Sequence, residues 1–194
     1  MLHRYQDLIS LFDSGIGAHF NTRLIKGDDE PLYLPAGENC SYHQIIFARG
    51  YYASALHEIA HWCIAGQARR LLEDFGYWYL PDGRSEQQQQ AFEQVEIKPQ
   101  ALEWAFCVAA NKRFNVSADN LNGAGADTMA FKVAVYRQVL NYLEVGFPPR
   151  GQQFIDALAK FYSVKTPLTA EDFELDAHLQ EMYQQSCEKE GQTV

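Results

Sequence analysis

The sequence predicts an α+β fold, a mostly helical single domain with a small sheet, from three observations. Long segments carry apolar residues at helical spacing, most plainly "AFKVAVYRQVLNYLEV" (130–145). Two short runs, "PLYLP" (31–35) and "HQIIFA" (43–48), are rich in aromatic or β-branched residues and bounded by Pro and Gly, which reads as strands. No repeat or linker divides the 194 residues, so residues 1–194 read as one domain large enough to bury its own core.

Taken in order, residues 4–13 form the first helix, with Leu8, Ile9, Leu11 and Phe12 crowding one face. After the two strands, a long helix is expected to begin near Tyr52, with Gly66 ending or bending it before "QARRLLEDF". "GYWYLPDG" (76–83) reads as a strand closed by a Pro-Asp-Gly turn, and "SEQQQQ" (85–90) as a solvated helix start. Residues 91–112 read as helical, and Pro99, lacking an N–H, is expected at a first turn or a kink. A loop at 115–127 precedes the 130–145 helix. Pro148-Pro149 then separates that helix from a final core helix over 150–162, and the polar tail past Leu179 is expected to fray and stay flexible.

A net charge of −9 argues against nucleic acid as a partner, because phosphate contact needs clustered Lys and Arg and the Arg69-Arg70 pair is too small. An acidic surface suits a cationic substrate better. The residues after Met1 lack the apolar core of a secretory signal, and no apolar run reaches membrane-spanning length. Cys40, Cys63, Cys107 and Cys187 are scattered without a CxxC pair, which reads as four reduced thiols. A cytoplasmic location with no membrane partner is the expectation.

The chemistry centres on "YYASALHEIAHWCIAG" (51–66). His57 and His61 are four apart, so on a helix both imidazoles can face one ion, with Glu58 beside it. Two buried, hydrogen-bonded core histidines are the plainer alternative. A catalytic metal needs a third protein ligand. The Gly and third His of the extended metzincin motif are absent, since Ile64 and Gln67 stand there, and His178 lies near the tail. The ligand is then sought among the carboxylates of "FEQVEIKPQALEWAF" (92–106), Glu93, Glu96 and Glu103. Glu96, between Val95 and Ile97, is favoured, and Glu103, seven residues on, stays open. Such a site suits a zinc peptidase with Glu58 as general base, which residues alone place first. The same ligand set also suits a non-haem Fe(II) oxygenase. A binding module with a closed structural metal is the third possibility.

Several blocks in order then resemble the bacterial elongation factor P hydroxylase family: "FNTRLIKGDDEPLYLPA" (20–36), "ARGYYASALHEIAHWCIAGQARR" (48–70), "DFGYWYLPDGR" (74–84) and "VEIKPQALEWAFCVAA" (95–110), continuing into "FNVSADNL" (114–121). The resemblance implies a hydroxylase acting on the lysylated lysine of elongation factor P, as the last step in maturing that factor. It implies a peptidase-like metal motif on the HExxH helix rather than a double-stranded β-helix. His57 and His61 match the family's motif, with Glu96 offered as the carboxylate. The implied cofactor is a divalent metal ion, Fe(II), for which zinc is a substitute, with O2 as co-substrate, because zinc has no redox chemistry. Glu58 takes a supporting role at the site. Two weaker substrate candidates are the acidic cluster Asp28, Asp29 and Glu30 and the aromatic Tyr77-Trp78-Tyr79, each more simply a solvated turn and a half-buried strand.

Overall fold

The computed structural model describes residues 2–74, 86–116 and 128–191. Its helices are α1 (Tyr5–Ser14), α2 (Ile16–His19), α3 (Tyr52–Ile64), α4 (Glu86–Ala109), α5 (Thr128–Val145), α6 (Pro149–Tyr162) and α7 (Ala177–Gly191). The strands are β1 (Thr22–Lys26), β2 (Leu32–Leu34) and β3 (His43–Phe47), with single 3-10 turns at Arg69–Leu71 and Ala170–Asp172. The predicted α+β class and small sheet are both present. The strand expected at 76–83 and most of the loop at 115–127 lie outside the described residues.

The sheet order is β1-β3-β2, with β1 parallel to β3 and β2 antiparallel to it. Strand β1, "TRLIK", was not foreseen. Its two cations hide the apolar alternation, and only Thr22 and Leu24 turn inward. Pairing with β3 (Thr22↔His43 through Lys26↔Phe47) and the bond from the Leu24 N–H to Asp13 Oδ1, 2.9 Å, hold it in place. Short α2 feeds β1 through a tight corner. A Cβ on Gly17 would lie 2.6 Å from the Thr22 carbonyl oxygen and 2.7 Å from the Phe12 ring, so only glycine fits there.

The helices pack behind the sheet around an aromatic cluster in which Phe12 meets Trp62 and Phe154 edge-on and Phe106 meets Phe154. Helix α4 packs on α3, α5 and α6, and is the central element of the core. It runs through Pro99, which sits mid-helix instead of at a first turn. Proline cannot donate to the Val95 carbonyl one turn earlier, so the helix tolerates one missing bond there. The glutamine run does begin a helix, but it is not all solvated. Gln89 is buried and donates to Glu93 at 2.9 Å.

Beyond Leu179 the chain forms α7, where the sequence had suggested a fraying tail. Leu179 is buried, Met182 and Tyr183 pack against the core, and Tyr183 meets Tyr136 of α5 edge-on. Three apolar contacts at helical spacing hold an otherwise polar helix.

Candidate metal centre

Helix α3 begins after a turn in which Arg49 (φ 52) and Gly50 (φ 77) adopt left-handed backbone, and Ser54 Oγ accepts the Ala48 N–H at 3.0 Å. Ala55, Leu56, Ile59, Ala60, Trp62 and Cys63 are buried, which leaves His57, Glu58 and His61 on a half-buried strip. The far end of the helix is held by Arg150 of α6. Its Nη2 donates to the carbonyls of Trp62 (2.8 Å), Cys63 (3.0 Å) and Ala65, while its guanidinium stacks 4.8 Å from the Trp62 ring. A cation on the terminal carbonyls satisfies the acceptors that every helix end leaves open.

Opposite this strip, α4 presents Gln89, Glu96, Gln100 and Glu103, all 6% exposed or less. Their spacings of seven, four and three put them on one face. His57 and His61 turn their Nε2 atoms toward each other, 3.0 Å apart. Glu96 Oε1 lies 3.1 Å from His61 Nε2 and Oε2 lies 3.5 Å from His57 Nε2. On the other side of the His57 ring, the Nδ1–H donates to Glu103 Oε2 at 2.9 Å. Geometry separates the favoured carboxylate from the one left open: Glu96 joins the Nε2 side and Glu103 the Nδ1 side. Glu93 instead accepts from Gln89.

The donor atoms of His57, His61 and Glu96 lie within 4.8 Å of one another, so this trio could hold a metal ion. One orphan atom fits that reading. Glu96 Oε2 is buried and has no hydrogen-bond partner among the described residues, a costly state for a carboxylate unless a cation meets it. Two imidazoles and one carboxylate form a donor set suited to Fe(II) and related divalent ions.

A cavity of about 270 Å3 adjoins the trio, with Glu58 and His61 in its wall. Leu32, Ile45, Trp62, Ile64, Val95 and Pro99 make it largely apolar, and the partly exposed Arg69 and Asp74 stand on its solvent side. Its size suits one long side chain better than a stretch of peptide.

A family profile described as elongation factor P hydroxylase matches residues 11–173. The chain belongs to that family. The matched span contains His57, Glu58, His61, Glu96 and Glu103. The elongation factor P lysine hydroxylase of Haemophilus influenzae is 54% identical over 175 residues, covering 90% of this chain and 98% of that protein.

In this hydroxylase-family site the electrostatics follow from burial and from crowded carboxylates. Burial disfavours the His57 imidazolium, but the hydrogen bond and charge of Glu103, with Glu96 and Glu58 nearby, outweigh it and push the pKa up to about 10. Burial likewise opposes ionisation of Glu96, yet the His61 hydrogen bond, both histidines and a hydrogen bond from Gln100 hold it down at about 2. For Glu58, burial wins and its pKa rises despite His57 and His61.

A pH dependence follows. His57 carries its proton at neutral pH, and a metal ion must displace it. Affinity for a divalent ion is therefore expected to climb by about tenfold per pH unit from about pH 6 to 8.5. An ordinary histidine would level off above about pH 6.5. Chelator competition with Co(II) across that range checks the slope.

Sequence reading missed Gln100, which supports Glu96, and Arg150, which anchors the end of α3. The polar spacing 96–100–103 within an otherwise apolar helix was the available signal for Gln100. Nothing local pointed to Arg150. Asp28, Asp29 and Glu30 do not line the cavity, and Asp29 instead pairs with Arg49 at 2.9 Å. Tyr77-Trp78-Tyr79 lies outside the described residues.

Proposed function

We propose that this chain is a metal- and O2-dependent protein hydroxylase that adds a hydroxyl group to the lysylated lysine of elongation factor P, completing that factor's maturation. The observation that carries the reading is family membership across the residues that build the site, with a relative named for this reaction covered almost end to end. The same membership sets aside the zinc peptidase, and the compact cavity beside the trio suits one modified side chain better than an extended peptide. We read residues 1–194 as one catalytic domain that works in the cytoplasm, where its substrate is made. Among the described residues no helix is long and apolar enough to cross a membrane.

His57 and His61 through Nε2 and Glu96 through its carboxylate would hold the ion, Fe(II) in this reading, with zinc as an inactive substitute. The ion supplies O2 activation, which side chains cannot provide and C–H hydroxylation requires. The overall change inserts one oxygen atom into a C–H bond and releases the other as water, consuming two electrons and two protons from an external reductant.

The chain's own residues do the rest. Glu103 accepts from the His57 Nδ1–H and so fixes which ring nitrogen faces Glu96 and His61. Gln100 steadies Glu96. The apolar walls hold the aliphatic stem of the substrate and keep bulk water out. Glu58, in the cavity wall and held above the usual carboxylate range by burial, stands where a proton can be taken up or given beside the reacting group. Glu58→Gln is expected to lower turnover about 10²-fold while leaving bound metal unchanged by elemental analysis. Full turnover in that variant would remove Glu58 from the chemistry.

The deciding experiment is the intact mass of lysylated elongation factor P after exposure to this protein, anaerobically loaded with iron, and then O2. A gain of one oxygen atom is expected. No gain, together with metal-dependent peptide cleavage, would return the chain to the peptidases.

A further inference from the structure

Residues 66–74 run from the end of α3 to a backbone bridge with β2 and form one side of the cavity, through Gly66, Arg69, Arg70 and Asp74. The segment is fixed at several points. Tyr33 N–H donates to the Asp74 carbonyl at 2.8 Å, Asp74 N–H returns a bond at 3.0 Å, and the Tyr33 hydroxyl donates to the Arg70 carbonyl at 2.9 Å. Within it, Arg70 N–H reaches the Gly66 carbonyl and Leu72 N–H the Arg69 carbonyl. Arg69 Nε donates to Asp74 Oδ2 at 2.9 Å, so one of the two arginine charges in the cavity wall has a counter-charge.

On this fixed backbone Leu71 and Leu72 are 64% and 63% exposed. A lone exposed leucine is ordinary, but two in succession, on a segment that also walls the cavity, form an apolar step beside its entrance. A lysine side chain reaching into that cavity from a folded protein brings its flanking polypeptide within one side-chain length of this step.

We propose that residues 66–74 are the docking platform for the polypeptide around the modified lysine, with Leu71 and Leu72 in contact with it. The inference rests on the hydroxylase reading above and adds to it the surface that distinguishes the protein substrate from a free lysine derivative. These leucines are specificity residues and do not touch the reacting atoms.

The test is steady-state kinetics of Leu71→Ser/Leu72→Ser with lysylated elongation factor P. KM should rise about tenfold or more, from the lost apolar contact, while kcat and Tm stay unchanged because both side chains are exposed in the free protein. Val145→Ser, at a residue 69% exposed elsewhere on the surface, should leave both constants alone. An unchanged KM in the double variant, or an equal rise with Val145→Ser, would overturn the platform and leave the hydroxylase reading standing. A fall in kcat at unchanged KM would overturn it too. Wild-type protein that adds no oxygen would overturn both.

Discussion

His57→Ala is expected to abolish oxygen transfer to lysylated elongation factor P, with no mass gain under conditions where the wild-type chain modifies the whole sample. The ring does two jobs that no neighbour can assume. Its Nε2 lies 3.0 Å from His61 Nε2 and beside Glu96, and its Nδ1 is tied to Glu103 at 2.9 Å. Alanine removes one donor of the trio and leaves Glu103, 6% exposed, without its partner. Bound metal should fall with activity, which elemental analysis checks. Far-UV circular dichroism should hold, because the His57 side chain is 24% exposed and packs at the edge of the core. Oxygen transfer at wild-type rates by this variant would refute the proposed centre.

The second large effect separates the two carboxylates. Glu103→Ala is expected to weaken metal affinity about 10–100-fold, as loss of the partner that orients a ligating histidine does. Glu103→Gln should lose far less, since its amide oxygen can still accept the His57 Nδ1–H. Glu96→Gln, by contrast, should remove most of the binding, because a neutral amide replaces the charge that faces both Nε2 atoms. Competition against a coloured chelator ranks the three variants. If Glu103→Gln were as damaging as Glu96→Gln, Glu103 would be acting as a ligand and not as the group that positions His57.

How far the sequence reached depended on the range of the interactions. The four-residue spacing of His57 and His61 is local, so the helix and the shared face could be read directly. The central helices were legible through apolar spacing. Glu96 and Glu103 share one face of α4, and their ranking depends on how far α3 is displaced along that helix, which no local pattern records. β1 was missed because "TRLIK" becomes a strand by pairing with β3, not by its own alternation. Pro99 left a choice between a first turn and a kink, and the structure removes the first: packing on α3, α5 and α6 carries the helix through it. The polar α7 depends similarly on Leu179, Met182 and Tyr183 finding the core.

The buried polar stripe of α4 also bears on supply. Glu96 and Glu103 are 3% and 6% exposed, on the inner face of the helix that organises the core. Carboxylates in such places work against the folded state unless countercharge accompanies them, and His57 and His61 supply part of it before any ion binds. An ion that binds only the folded chain draws the folding equilibrium toward itself. Metal loading and survival of the polypeptide would then be coupled. In a metal-starved cell the chain would lose ground to proteolysis as well as to inactivity, so its abundance would report how much metal the cell can spare for finishing a translation factor.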